Sequence, residues 1–350
     1  MKVLFNTMQP AFQKSYFGGA EIQLLKTKEY LEKLKVKVKG FNQFEDQLTD
    51  FDILHNFSMQ RDTLKLFSLA KKLGLKLALS TIYWPPKELI FSDNPIAGIG
   101  KVMFEEFSKI RSNANPFYSL YPFKEFLELA DILLPNSETE KNMIAEKFKI
   151  PKRKFHVVPN GVDKRYAKAT PDLFVKKYKM KDFALFVGRI DPRKNLLKAI
   201  QAAKELEIEF VIIGAASPDK KDYMERCKEE AKGAKVHFLG GFEPGSELLM
   251  SAYAAAKTLV LPSAFETPGL VALEAALTGC NISITDRGST TDYFKNMADY
   301  CNPRNFNSIK ESIKIAHSRE RNEKLKKHIL DNYTWEKVAE RTLQAYKKIL

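Results

Sequence analysis

Two charged pairs in the second half of the chain have the types and spacing to grip a phosphate ester. The first lies in Pro262–Gly279, which reads PSAFETPGLVALEAALTG and places Glu266 and Glu274 around a helix start. Thr267 carries a capping side chain and Pro268 suits a first helical position, so a helix is predicted to begin there. The unpaired N–H groups of Gly269 and Leu270 would then point outward at the positive end of the helix dipole, where an anion binds. Glu274 would lie ~9 Å along that helix at ~1.5 Å per residue, a separation that suits a diphosphate and the ribose of one nucleotide. Glu266 stays outside the helix, on the side where a group attached to the phosphate would sit. A helical Glu is most often merely solvated. Here, however, Leu270, Val271, Leu273, Ala275, Ala276 and Leu277 surround Glu274, and a carboxylate in such a run is costly to bury without a partner. A nucleotide-sugar fits the layout.

The second pair follows Phe183–Val187, a short apolar run of the kind that forms a buried parallel strand. Gly188 ends the run, Arg189 follows, and Asp191-Pro192 has the form of an N-cap and first helical residue. Arg193 and Lys194 then fall in a first turn, where the helix dipole disfavours cations. By itself this is either a solvated basic turn or a diphosphate site, with Arg gripping oxygens bidentately and Lys acting as a point charge. Coupling to Glu266 and Glu274 favours the second reading.

GRIDPRKN followed by a helix, then FETPGLVALEAALTG, resembles the retaining GT-B glycosyltransferases of glycosyltransferase family 4. Their Arg-x4-Lys and Glu-x7-Glu motifs are matched by Arg189/Lys194 and Glu266/Glu274. The resemblance covers most of the chain. GGAEIQLLKTKEYLEKL resembles the family's Gly-Gly-x-Glu loop and first helix, VVPNGVD (Val157–Asp163) its interdomain crossing, and TDRGSTTDYF (Thr285–Phe294) the segment after Glu-x7-Glu. It implies that Arg189 and Lys194 neutralise the departing diphosphate, that Glu266 contacts the transferred sugar, and that Glu274 holds the ribose hydroxyls. It also implies donor contacts from Gly188, from the backbone of Gly269 and Leu270, and from Gly18 and Gly19 across a cleft. The family reaction is front-face, with the diphosphate oxygen taking the acceptor proton, so charge stabilisation and positioning would be the protein's task.

These motifs need a scaffold. Apolar runs and helical patterns alternate through the 350 residues, which predicts an α/β protein with parallel sheets. The resemblance sharpens this to GT-B: two Rossmann-like domains with parallel sheets facing across a cleft. The expected division is 1–165 for an acceptor domain, 166–334 for the donor domain, and a C-terminal helix at 335–350 packing back on the first. In the first half, strands are expected at Lys2–Phe5, Val36–Phe41, Asp52–His55, Leu75–Ser80, Ala130–Asn136 and Phe155–Val158, with helices at Ala20–Leu34, Thr63–Leu73 and Glu138–Phe148. The aromatic, basic segment Pro85–Lys124 follows no clear period.

Composition is ordinary for a globular chain, at 44% hydrophobic and 29% charged, but the formal net charge is +14, which implies an anionic partner. No run of about 20 apolar residues is present, Met1–Phe5 begins a strand instead of a leader, and three scattered cysteines form no framework. These features point to the cytoplasm, with peripheral contact at the inner membrane face. The lysines at 26, 28, 33, 35, 37 and 39, together with Lys101, Lys109 and Arg111 among Phe104, Phe107, Phe117, Tyr118, Tyr121, Phe123 and Phe126, suit an anionic membrane surface. The same composition suits single-stranded nucleic acid. A basic nucleic-acid-binding protein on a nucleotide-binding scaffold is therefore the alternative, although nucleic acid is not the favoured partner.

Two departures from the family pattern bear on the acceptor, a glycan or lipid-linked molecule. Phe57 stands where a second His would follow His55, and Tyr83 stands near another expected His. His55 reads as a packed, hydrogen-bonded histidine. Tyr83 and Trp84 are either acceptor-stacking aromatics or core. Asp50-Phe51-Asp52 has the form of a metal-binding Asp-x-Asp string but precedes a strand instead of ending one. No metal and no cofactor are expected; the donor is a nucleotide-diphosphate sugar.

Overall fold

The structure, a computed structural model, describes residues 1–8, 18–85 and 123–350. The chain forms two compact units. One holds the described residues up to 161 together with 335–350, and the other holds 162–334. The sequence-based boundary at 165/166 thus falls at 161/162, and the chain crosses between units a second time at 334/335. Lys101, Lys109, Arg111 and the aromatics from Phe104 to Tyr121 lie outside the described residues.

In the first unit, β1 (Lys2–Asn6), β2 (Lys37–Gly40), β3 (Ile53–Phe57), β4 (Lys76–Ser80) and β5 (Ile132–Leu134) form a parallel sheet in the order β2-β1-β3-β4-β5. Helices α1 (Gly19–Lys33), α2 (Leu64–Lys72), α3 (Phe123–Leu129) and α4 (Glu138–Phe148) connect or flank these strands among the described residues. β3 is buried at every position, as a central strand covered on both faces must be. Ser137 caps α4 by accepting from the Glu140 amide, and Lys149 ends the helix in the left-handed region. Phe155–Val158 makes one bridge, Phe155 to Leu133, and not the expected strand.

The second unit has the sheet order β11-β10-β9-β6-β7-β8, all pairs parallel. Its strands are β6 (Ala184–Val187), β7 (Phe210–Ile213), β8 (Val236–Phe238), β9 (Thr258–Leu261), β10 (Asn281–Thr285) and β11 (Asp299–Cys301). Its helices are α5 (Asp172–Tyr178), α6 (Leu196–Glu205), α7 (Lys221–Glu230), α8 (Glu247–Ala255), α9 (Leu270–Leu277), α10 (Thr290–Phe294), α11 (Phe306–Ser318) and α12 (Glu323–Asn332). β6, β7 and β9 are fully buried apolar strands, and α6 turns Leu196, Ala199, Ile200 and Ala203 inward at helical spacing. β11, a short DYC segment, carries no apolar run to announce it.

Strand order reverses between β6 and β9, the neighbours at the middle of this sheet. In open α/β sheets, ligands bind beyond the carboxyl ends of the strands at such a reversal. The loops leaving β6 and β9 are the two that carry Arg189/Lys194 and Glu266.

The last helix, α13 (Trp335–Lys347), belongs to the first unit and lies along α1. His55 secures it. Its Nδ1 is hydrogen-bonded to the Tyr346 hydroxyl at 2.7 Å and its Nε2 to Ser80 Oγ at 2.9 Å. Its ring stacks on Phe57, and burial pushes its pKa down to about 3.

Candidate functional site

The loop after β6 begins where two backbones nearly touch. A Cβ on Gly214 would sit 1.9 Å from the carbonyl oxygen of Gly188, so the ends of β6 and β7 can meet only over glycine. The Gly188 and Ile190 amides donate to the carbonyls of Ile213 and Ala215, holding the loop against the neighbouring strand end. Between them Arg189 projects into solvent with no hydrogen bond or ion pair among the described residues.

Asp191 is the N-cap that the sequence suggested, accepting from the Arg193 amide at 2.9 Å, but the turn it starts is a single 3-10 turn, Pro192–Lys194. The α-helix begins afterwards, at Leu196, once Asn195 has reversed the chain at φ 56°. Arg193 folds back on Asp191 through Nε and Nη2 at 3.1 and 3.0 Å. Burial pushes the Asp191 carboxyl up, but the Arg193 hydrogen bonds outweigh it and the net pKa lies below the usual value. Lys194 points elsewhere. Its Nζ donates to Glu266 Oε1 at 2.6 Å, joining motifs that stand 72 residues apart.

The loop after β9 is fixed by the backbone. The Glu266 amide donates to the Arg287 carbonyl at 3.2 Å, and the Glu266 carbonyl accepts from the Ser289 amide at 2.9 Å. Gly288 lies so close that a Cβ there would stand 2.0 Å from the Glu266 carbonyl oxygen. The segment Thr285–Phe294 therefore sets where Glu266 stands. The Glu266 side chain is 3% exposed, which makes its contact with Lys194 a largely desolvated ion pair.

The expected helix start is corrected. α9 begins at Leu270 with Gly269 as N-cap at φ 84°, and Thr267 and Pro268 precede the helix. The ties of Glu266 to residues 287–289 place the chain so that the reversal falls on Gly269, a residue free to adopt positive φ. A Cβ at Gly269 would lie 3.2 Å from Glu266 Oε2, so the helix start and that carboxylate adjoin. Glu274 consequently stands four residues into the helix, roughly 6 Å along its axis at ~1.5 Å per residue, and not the ~9 Å read from the sequence.

Glu274 has the partner its apolar surroundings demanded. Tyr253, fully buried on α8, donates to Glu274 Oε2 at 2.8 Å. Burial pushes the carboxyl up to about 7 against the opposing effect of the Tyr253 and Tyr166 hydroxyls.

The sequence had not marked Asn195, Tyr253, Tyr166 or Glu140. The first three had no legible signal, because each acts through a contact distant in the chain. Glu140 had one: it stands at the capping-box position after Ser137. Fully buried in the first unit, it accepts from Thr81 Oγ1 at 2.5 Å and from the Tyr83 and Asn136 amides at 2.7 Å each. Burial raises its pKa, with those hydrogen bonds in opposition.

Tyr83 is core. Its ring is 2% exposed, meets Phe123 and Phe148 edge-on, and its hydroxyl accepts from Lys147 Nζ at 2.8 Å, so neither ring face is presented for stacking. Trp84 is partly buried. Gly18 and Gly19 open α1, and the Gly18 amide already donates to Glu21 Oε2 at 2.7 Å. Asp52 accepts from the Lys2 amide at 2.7 Å, tying the start of β3 to β1. Among the described residues, no three His, Cys, Asp or Glu side chains cluster to hold a metal, and no helix is long and apolar enough to cross a membrane.

Four of the six lysines clustered at 26–39 pair with acidic neighbours. Lys26 and Lys33 pair with Glu29 and Lys28 with Glu32, all within one turn on α1, while Lys39 pairs with Asp46. Exposed pairs of this kind add little to stability, roughly 0.3–0.5 kcal/mol each on a helix, and with three carboxylates among six lysines the cluster stays net positive.

Two units with parallel sheets and charged loops at a strand-order reversal define a GT-B scaffold, and solved structures of that fold superpose along the whole chain. Sucrose-phosphate synthase from Thermosynechococcus elongatus matches with a TM-score of 0.76 at 15% identity, covering 99% of this chain and 98% of that one. Anabaena HepE in complex with UDP and glucose matches with a TM-score of 0.69 at 13% identity, covering 99% of each. Residues 173–335 match the family described as Glycosyl transferases group 1, and residues 41–166 match Glycosyltransferase Family 4. The chain belongs to these family 4-type glycosyltransferases.

Among curated relatives, an uncharacterized glycosyltransferase of Methanocaldococcus jannaschii is 29% identical over 60% of this chain and 58% of its own length. The lipopolysaccharide 1,2-N-acetylglucosaminetransferase of Salmonella typhimurium is 27% identical over 55% of this chain and 56% of its own. The matches thus span a little over half the length of these relatives.

Proposed function

We propose that this protein transfers a sugar, with retention of anomeric configuration, from a nucleotide-diphosphate sugar to a glycan or lipid-linked acceptor. The observation that carries the reading is the 2.6 Å contact between Lys194 and Glu266. It brings a diphosphate-neutralising cation to the carboxylate expected at the transferred sugar, beside the N-terminus of α9.

In this reading Arg189 and Lys194 stabilise the charge that grows on the departing diphosphate, the kind of preorganised interaction that lowers a transition state most. Glu266 orients the sugar, and Glu274 holds the ribose. The diphosphate oxygen takes the acceptor proton. Arg189 and Lys194 supply the neutralisation that a divalent ion would otherwise bring, so the reaction is metal-independent.

The relatives support the acceptor class. One is the Salmonella lipopolysaccharide enzyme, and another, from Campylobacter jejuni, is named for transfer to a diphospho-undecaprenol-linked sugar. HepE binds UDP-glucose. Synthesis of cell-envelope polysaccharide or glycolipid, at the cytoplasmic face of the membrane, is the corresponding role.

The test is a panel of nucleotide-sugars scored for hydrolysis and for thermal stabilisation of the full chain. One donor is expected to stabilise the protein and be turned over, releasing a nucleoside diphosphate. If no nucleotide-sugar and no nucleoside diphosphate does so, the reading is wrong.

A further inference from the structure

A carboxylate that must accept from a sugar needs its own orientation fixed, and Glu274 is fixed from a place the motif does not include. Tyr253 lies on α8, 21 residues earlier, and is fully buried. Its hydroxyl can donate one proton only, and it donates to Glu274 Oε2 at 2.8 Å, while Oε1 makes no hydrogen bond of normal geometry among the described residues. The Tyr166 ring stands 5.9 Å from the Tyr253 ring and is 2% exposed. Its buried hydroxyl makes no hydrogen bond of normal geometry among the described residues, yet it acts on the Glu274 carboxyl. A buried phenol without a full partner is costly. Keeping two phenols at one carboxyl is more than core packing requires, because phenylalanine fills the same volume without the penalty.

We propose that Tyr253, with Tyr166 beside it, is a positioning residue that pins one oxygen of Glu274 and aims the other at the vicinal hydroxyls of a ribose. This rests on the donor reading above. The phenols act on the nucleoside end of the ligand alone, because the diphosphate is held by Arg189, Lys194 and the start of α9. Donation from Tyr253 also favours the ionised carboxyl against its burial, and only the ionised form accepts at both oxygens.

The test measures binding of UDP, GDP and ADP, and of inorganic pyrophosphate, to the full-length protein and to Tyr253→Phe, Tyr166→Phe, Glu274→Gln and Tyr253→Phe/Glu274→Gln. For the nucleoside diphosphate that wild type prefers, Tyr253→Phe is expected to weaken binding about tenfold, as loss of a hydrogen bond to a charged group does. Tyr166→Phe should act in the same direction by a few-fold. Pyrophosphate affinity should stay at the wild-type value in both, and the double variant should bind no more weakly than Glu274→Gln. Equal weakening for pyrophosphate would mean a general packing defect and overturn the proposal. Wild-type nucleotide binding by both Tyr→Phe variants, while Glu274→Gln is impaired, would overturn the positioning role and leave the donor reading intact. Absence of any nucleoside diphosphate binding in wild type would overturn the donor reading and this inference with it.

Discussion

Asn195 is stapled to Pro262: its side-chain amide donates to the Pro262 carbonyl at 3.1 Å and to the Pro303 carbonyl at 3.0 Å. With the Ala264 amide donating to the Arg193 carbonyl at 2.8 Å, the loop leaving β6 is sewn to the loop leaving β9. The contact between Lys194 and Glu266 is a consequence of that seam.

Replacing Asn195 by Ala should therefore cost more than one hydrogen bond. It strands two carbonyls and forces a left-handed conformation on a residue that resists it, an expected loss of about 2–4 kcal/mol. Asn195→Gly relieves the backbone strain and should recover part of it. Urea denaturation of both variants checks the order. Ala as stable as Gly would mean that the left-handed geometry carries no weight.

Lys194→Ala removes the cation from a buried carboxylate and the charge from the proposed diphosphate site. Turnover is expected to fall by about 10²–10³, the range seen when one preorganised stabiliser of developing charge is lost. Steady-state kinetics on the donor found by the panel decides it. A rate within threefold of wild type would remove Lys194 from the mechanism.

Gly288 abuts Glu266, whereas a Cβ on Gly241 would meet nothing within 4 Å. Gly288→Ala should displace Glu266 and abolish transfer, with a stability loss of about 2 kcal/mol or more from combined clash and positive φ. Gly241→Ala should leave both unchanged. Thermal melts and activity of the two alanine variants provide the comparison.

His55 makes the first unit sensitive to acid. Its folded pKa of about 3 lies below the ordinary value of 6.5, so the unfolded chain binds more protons between those values. Its influence on stability is constant above pH 6.5 and turns unfavourable as pH falls from 6.5 toward 3, at up to about 1.4 kcal/mol per pH unit. Denaturant midpoints of wild type and His55→Gln at pH 7, 5.5 and 4 test this. The gap between the two proteins should narrow on acidification, and a gap that stays fixed would show that His55 titrates normally.

Treatment with EDTA followed by gel filtration should leave transfer activity within about twofold if, as proposed, Lys194 and Arg189 provide the charge at the diphosphate. Activity lost on chelation and restored by Mg²⁺ or Mn²⁺ would reverse the metal-independent reading.

Local pattern carried a great deal. The apolar runs at Phe183–Val187 and Leu75–Ser80 and the helix Glu138–Phe148 specify α/β order, since strand and helix periods are properties of neighbours in sequence. The types and spacing of Arg189, Lys194, Glu266 and Glu274 were equally legible. Tertiary structure alone decided how those residues are held. The helix start moved from Pro268 to Leu270 because Glu266 is tied to residues 287–289. Tyr83 became core because Phe123 and Phe148 close on it, and Tyr253 came to Glu274 from another helix. Each outcome depends on backbone groups and side chains brought together across long loops, and the cost of leaving a buried carbonyl or carboxylate unpaired is felt only once the chain has closed around it.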